Sequence, residues 1–357
     1  MTASDHPMWL DFVSSPESIH TNDRALGGFC IGASADKARF DAQSSPWPIQ
    51  AIVAPLLGLD VPVLHETWFC NSPASDDVQH GHSEGIAWRR MGNLLYGVLE
   101  LAEADFSDAA NAAVAPLQFA SADIYRRIFR LLDAQQLPQL WRVWNYVADI
   151  NRETHGLERY RQFNIGRQEA WREFHRTITG NVPAACAIGL PAGALKRVSI
   201  AFLASDMPVI PIENPRQVSA YHYPADYGPC SPTFSRAALA SMKGQEVLFI
   251  SGTASIVGHQ TLHAGDVRAQ CDETLANIAA VLDEANRHAH SAPFTLASLS
   301  YRVYVRHLAD FASIQARLRE VLGQGVEIVY LQADICRADL LLEIEAHGIH
   351  ATEHAHA

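Results

Sequence analysis

The sequence predicts an α+β protein in which one unit of strands and helices occurs twice. Three observations lead there. Of the 357 residues, 48% are hydrophobic and 18% charged, which supports a packed core and excludes a disordered or coiled-coil chain. From about residue 85 onward, β-branched and aromatic runs alternate with segments whose apolar residues recur at helical spacing. The order strand, helix, strand, helix, strand, strand then reads in both halves, and the halves match locally in sequence.

Residues 1–80 are expected to be largely loop, because Pro, Ser, Asp and Gly clusters separate short apolar runs such as 52–59. Residues 91–101 (MGNLLYGVLEL) read as a buried strand. Residues 120–136 read as a helix with Ile124, Ile128, Leu131 and Leu132 on one face. The aromatic and β-branched run 140–147 (LWRVWNYV) is a strand, 166–179 a helix, and 184–190 and 198–204 strands. In the last third, 246–251 (EVLFIS) is a strand, 267–285 an amphipathic helix, 299–305 a strand, 308–322 a helix, and 326–331 and 340–345 strands.

The repeat locates the chemistry. RVWNYVADI from Arg142 resembles RVYVRHLAD from Arg302, and the preceding helices end LLDAQQ and VLDEAN. LPAGALKRVSIAF then stands where ICRADLLLEIEA stands in the second half, which sets Glu343 and Glu345 opposite Ser199 and Ala201. Strand residues two apart share a face. A carboxylate on a central strand is costly unless it is partnered or working. One live site in the second half and a scaffold role for the first are therefore expected.

Charge and composition bound the partners. Lys and Arg total 27 and Asp and Glu 39, a net charge of −12. Nucleic acid and anionic membrane both repel such a surface, so neither is an expected partner, although a local basic pocket is allowed. Only Lys37, Lys196 and Lys243 are lysines, leaving 24 Arg, whose rigid fork grips carboxylates at two points. Cys30, Cys70, Cys186, Cys230, Cys271 and Cys336 form no CxxC pair. The start MTASDHPMWLDF has neither a basic nor an apolar leader region. The longest apolar stretch, 182–195, is broken by Pro183 and Pro191 and is too short to span a bilayer. A soluble cytoplasmic protein with reduced thiols is expected.

Four stretches of the second half, ISGTASI, GDVRAQCDETLANIAAVL, YRVYVRHLADF and CRADLLLEIEA, resemble the RidA (YjgF) fold, a sheet backed by two helices. WRVWNYVADINRETHGLERYRQFNIGRQEAW and the connecting RQVSAYHYPADYGPCSPTFSRA resemble the chorismatase family, and the likeness covers most of the chain from about residue 60. The resemblance implies two RidA-like halves, the second intact and the first degenerate. It divides the chain into 1–205 (extension plus degenerate half), 206–240 (a link contributing to the site), 241–349 (catalytic half) and 350–357 (tail). It implies cleavage of chorismate with release of pyruvate. The ring product is a dihydroxycyclohexadiene carboxylate in some members and 3-hydroxybenzoate, alone or with 4-hydroxybenzoate, in others. RidA relatives are trimers; a duplicated chain is expected as a monomer or a homotrimer.

Chorismate is a dianion bearing an enolpyruvyl ether. Its site needs cationic forks for two carboxylates, hydroxyl donors, and an acid to protonate the ether methylene, which a carboxylic acid of raised pKa does well. Neither a metal nor a redox cofactor is required. Glu343 stands at the place of the family's catalytic Glu, and Glu345 is its support. Cys336 stands where the hydroxybenzoate-forming members have an active-site Cys, which points to a hydroxybenzoate. Gly252 and Ala254 match a loop lining the ring pocket, where small side chains leave room. Arg159, Tyr160, Arg167, Arg216, Tyr221 and Arg302 lie in family-typical stretches and are the expected substrate-binding residues, with Arg161 and Arg306 next.

Other signals are weaker. His80 with His82, and His354 with His356, lack a third spaced metal ligand. Gly252 and Gly258 make no dinucleotide-binding fingerprint, and Ser235, Ser251 and Ser255 lack a nucleophile-elbow pattern. Imine hydrolysis, as in RidA itself, would need the same Glu and one Arg but not the long first half. A non-catalytic small-ligand binder would tolerate replacement of Glu343.

Overall fold

The computed structural model describes residues 8–13, 23–71, 78–108, 114–191 and 196–352. His354, His356 and residues 192–195 lie outside them. The fold is α+β. Residues up to 71 form a four-stranded sheet from β1 (Met8–Val13), β2 (Ala25–Gly32), β3 (Ile49–Val53) and β4 (Leu64–Cys70), in the order β1-β4-β2-β3, with α1 (Ala35–Gln43) joining the parallel pair β2 and β3. The expectation of loop here is corrected. Glycines hide strand β2 (ALGGFCIG), since glycine weakens a strand on propensity alone. Tertiary packing demands them: a Cβ at Gly28 would stand 2.0 Å from the Glu66 carbonyl oxygen.

The next unit runs through β5 (Val78–Ser83), β6 (Ile86–Met91), β7 (Leu94–Ala102), α2 (Pro116–Gln135), β8 (Gln139–Ala148), α3 (Arg159–Glu173), β9 (Ala184–Leu190) and β10 (Arg197–Ser205). Proline at the first turn opens α2, and Gln136, at φ 56°, closes it. The strands form a sheet in the order β9-β8-β10-β7-β6-β5, with the short strand Asp334–Ile335 added beside β9. The third unit runs through β11 (Val209–Ile212), β12 (Ala237–Met242), β13 (Gln245–Thr253), α4 (Val267–Asn286), β14 (Ser300–Val305), α5 (Phe311–Leu322), β15 (Ile328–Gln332) and β16 (Leu342–Ala351). Asp266 caps α4 by accepting from the Ala269 amide at 3.0 Å. The sheet order is β11-β12-β13-β16-β14-β15, with Leu56–Leu57 added at the β15 edge.

One arrangement recurs three times: two parallel strands joined by a helix, with a later strand antiparallel beside the first. It is seen in β2-α1-β3 with β4, β8-α3-β9 with β10, and β14-α5-β15 with β16.

The two large sheets pack face to face. Trp144, Tyr146, Cys186, Phe249, Tyr304 and Leu331 fill the layer between them. Helices α2 and α3 cover the outer face of one sheet and α4 and α5 that of the other. The two-residue alternation along β16 sends Leu342, Ile344 and Ala346 to the helices and Glu343 and Glu345 to the facing sheet. Strand β16 runs six residues beyond the expected end. Helix α3 starts seven residues before its expected start, because it buries polar side chains (Arg159, Gln162, Asn164, Arg167 and Gln168) that conceal its inner face from a hydrophobicity pattern. Among the described residues no helix is long and apolar enough to cross a membrane.

Candidate active site

The inter-sheet layer opens into a cleft of about 590 Å³ between the α3 end of one sheet and the β13–β16 face of the other. A recess behind it reaches Ala185, Cys186 and Ala187 on β9. Glu343 lies at the junction, 3% exposed. Burial, reinforced by the charge of Glu345, pushes its carboxyl up to about 8; Arg142, the Cys336 thiol and Arg306 oppose this without cancelling it. Glu343 is therefore mostly a neutral acid at pH 7.

Gly252 makes the acid's place. A Cβ there would stand 1.9 Å from Glu343 Oε1, so any larger residue displaces the carboxyl. The Cys336 Sγ lies 3.9 Å from Glu343 Oε2. Burial and then Glu343 push that thiol up to about 12, so Cys336 is a protonated weak donor and not a thiolate. The loop carrying it is held by Arg306, which donates to the carbonyls of Leu340 (2.7 Å), Ile335 (3.1 Å) and Arg337 (2.8 Å) and pairs with Asp334.

Glu345, two residues on, has the opposite setting. Burial raises its carboxyl, but Arg302 and Arg142 outweigh that and hold the pKa below the ordinary value. Arg302 reaches Glu345 Oε1 at 2.7 Å, and Arg142 pairs with the other oxygen. Arg302 also pairs with Glu66 of the N-terminal sheet and donates to the Tyr146 hydroxyl at 3.1 Å. Two neighbouring carboxyls thus have their pKa values pushed apart, one neutral and one ionised.

Of the residues the sequence proposed, Glu343, Cys336, Tyr160, Gly252 and Ala254 line the cleft, and Arg167 lines the recess with its Nε buried and without a hydrogen-bond partner. Burial raises the Tyr160 hydroxyl, which stays a neutral donor. Four others are elsewhere. Arg159 turns back to donate to the Ala148 carbonyl at 2.7 Å and pairs two-pronged with buried Glu103. Arg216 is tied to Asn277 (2.8 Å) and Glu273 on α4. Tyr221 packs on the core beneath α2 and α3. Arg302 belongs to the ionic network just described. Each satisfies a partner within the fold, which a family-typical position does not disclose.

The cleft is also lined by Arg161, Arg236, Arg337, Tyr223, Tyr227 and Phe234, of which only Arg161 was a sequence candidate. Arg337 stacks on Tyr227 (4.1 Å) and Tyr223 (5.2 Å), and Arg236 donates to the Tyr223 hydroxyl at 2.8 Å. Arg236 Nε and Arg337 Nη2 are buried without a partner. The available signal was the tyrosine-rich YHYPADYG and the place of Arg337 beside Cys336. With Glu343 neutral, four guanidiniums (161, 167, 236, 337) face two carboxylates (Glu158, Asp339) around cleft and recess, an excess of two positive charges.

Among the described residues, the cluster able to hold a metal is Cys30, Asp41 and His65 of the N-terminal sheet, which lines neither cleft nor recess. Burial and Asp41 push the Cys30 thiol up to about 12, so it is poorly disposed to ligate.

Comparison with known proteins bears on the family and the fold. The family model of the N-terminal domain of FkbO/Hyg5-like chorismatases matches residues 66–204. A chorismatase of Streptomyces rapamycinicus is 38% identical over 286 residues, 78% of this chain and 80% of its own. A 3-hydroxybenzoate synthase of Streptomyces hygroscopicus is 35% identical over 289 residues, with 78% and 80% covered. A chorismatase crystal structure superposes with a TM-score of 0.79 at 31% identity, over 96% of this chain and 98% of that one. The chain belongs to the chorismatase family.

Proposed function

We propose that the protein cleaves chorismate to pyruvate and a hydroxybenzoate, with Glu343 as the general acid. The observation that carries this is the neutral, buried Glu343 carboxyl at the floor of a cleft with two positive charges in excess. Arg161, Arg236 and Arg337, with Arg167 behind, receive the two carboxylates as charge-assisted hydrogen bonds. Tyr160 and Tyr223 supply hydroxyl donors.

Glu343 gives its proton to the enolpyruvyl methylene. The electron pair of the carbon–carbon double bond forms the new C–H bond, leaving an oxygen-stabilised cation at the ether carbon. The ring hydroxyl next to the ether captures that cation. The Glu343 carboxylate takes the proton that the hydroxyl gives up. The resulting ketal collapses by breaking the ring C–O bond of the former hydroxyl and the bond between the ether oxygen and the pyruvyl carbon. This expels pyruvate with the hydroxyl oxygen as its ketone oxygen. Glu343 returns its proton to the oxygen left on the ring, and its carboxylate then takes the ring proton whose loss aromatises the ring. Hydroxybenzoate and pyruvate together hold all the atoms of chorismate, whereas a diene diol would need water. Cys336, a protonated thiol against Glu343, steers the cation to the internal route.

The matching strand order of the two large sheets supports reading them as two RidA-like halves, the first with Ser199 where the second has Glu343. In that reading 241–349 is the catalytic half, and the link 206–240 supplies Tyr223, Tyr227, Phe234 and Arg236. The cysteines, all free, fit a reducing cytoplasm.

The test is incubation with chorismate in the presence of EDTA, with chromatography of the ring product beside a pyruvate assay. Stoichiometric pyruvate and hydroxybenzoate are expected. Pyruvate with a diene diol would overturn the role given to Cys336, and unchanged chorismate would overturn the reading.

A further inference from the structure

A second cleft, of about 390 Å³, opens between the N-terminal sheet and the middle one. Its walls correspond to those of the active cleft. There, helix α3 and strand β9 face β13 and β16 of the next sheet; here, helix α1 and strand β3 face β7 and β10. The match extends to single residues. Ser199 on β10 pairs in register with Tyr146, as Glu343 on β16 pairs with Tyr304, and the two tyrosine hydroxyls meet at 2.8 Å. Ser199 lines the second cleft as Glu343 lines the first.

The chemistry of the second cleft is that of an anion site without an acid. Arg39 on α1 and Arg197 on β10 both point at one carboxylate, Glu100, at 3.4 and 2.9 Å. One positive charge is left over. The Nε atoms of both arginines are buried and have no hydrogen-bond partner, so each fork keeps an unused donor. Trp47 and Trp88 supply flat apolar walls. Ser199 is anchored by Gln50 Nε2 at 3.0 Å and offers a hydroxyl where the active cleft offers a carboxylic acid. The volume is in the range of small-molecule sites. A single carboxylate on a planar ring satisfies these features together: the forks take the anion two-pronged and the indoles take the ring.

We propose that the cleft lined by Arg39, Trp47, Trp88, Glu100, Arg197 and Ser199 is a second, non-catalytic binding site for an aromatic monocarboxylate. The inference stands on the cleft itself and survives even if the protein leaves chorismate unchanged.

Isothermal titration calorimetry of the full chain with 3-hydroxybenzoate as probe tests it. A binding event is expected in the wild type that weakens at least about tenfold in Arg197→Ala, the loss expected for one charged hydrogen-bonded contact. Arg39→Glu, at a half-buried position of α1, gives a second variant should Arg197→Ala fail to fold; thermal unfolding is recorded for both. The event must persist in Arg161→Ala, which alters only the active cleft. Acetate must bind more weakly than the aromatic probe. Probe binding unchanged in both Arg39→Glu and Arg197→Ala, or acetate binding as tightly, would overturn the proposal.

Discussion

Replacing Glu343 by Gln keeps the shape of the side chain and removes its proton, and the structure sets the size of the effect. With the carboxyl at about 8, roughly 90% is protonated at pH 7; at the ordinary value of 4.5 the fraction would be about 0.3%, some 300-fold less. Wild-type kcat should therefore be flat through neutrality and fall about tenfold per pH unit above 8. Glu343→Gln should lose about a thousandfold in kcat, within the range for a positioned general acid. Stability supplies an independent reading. The carboxyl titrates near 8 when folded and near 4.5 when unfolded. Between these values the folded chain holds more protons, so its stability falls as pH rises from about 4.5 to 8. Glu343→Gln removes this slope and should unfold at a higher temperature than wild type above pH 8. Steady-state pyruvate release from pH 5 to 10 and thermal unfolding over the same range are the assays. A variant with near wild-type kcat, or a wild-type rate that declines already through pH 5–6, would refute the reasoning.

Further outcomes follow from the same geometry. Gly252→Ala places a Cβ 1.9 Å from Glu343 Oε1 and should cost about 100-fold in kcat by displacing the acid, with circular dichroism unchanged. Arg161→Ala and Arg337→Ala should each raise KM about tenfold or more, with a smaller change in kcat, since each removes a charged contact to substrate; unchanged KM values would exclude both from the clamp. Cys336→Ala should leave pyruvate yield intact and shift the ring product toward the diene diol, read by chromatography. Arg142→Met strips one partner from buried Glu345 and should cost about 3–5 kcal/mol in denaturant unfolding.

The second half of the fold was legible because its elements follow simple periods: β14, α4 and α5 fall within a residue or a few of their expected bounds. Glu343 and Glu345 were legible because carboxylates two apart on a central strand conflict with burial unless they have a use. Their divergence was not, since it depends on Arg142 and Arg302 arriving from different sheets. The N-terminal sheet was concealed by β2, whose glycines contradict local propensity and answer to tertiary neighbours: Gly27 to the Tyr96 ring, Gly28 to the backbone of β4 and Gly32 to Pro62. Buried polar residues along α3 similarly concealed where that helix begins. Arginines were the poorest guide. Arg159 and Arg302 are spent on Glu103, Glu66 and Glu345, and Arg236 and Arg337 face the cleft; sequence position alone does not say which carboxylate a guanidinium meets first.

The central claim, protonation of the enolpyruvyl methylene by an enzyme acid in exchange with solvent, is tested most directly by running the reaction in deuterium oxide and trapping pyruvate at once as lactate. A general-acid route predicts one deuteron in the methyl group of each pyruvate formed. Unlabelled pyruvate from the first turnover of enzyme already equilibrated in deuterium oxide would mean that hydrogen passes directly from ring to side chain and would contradict the role of Glu343.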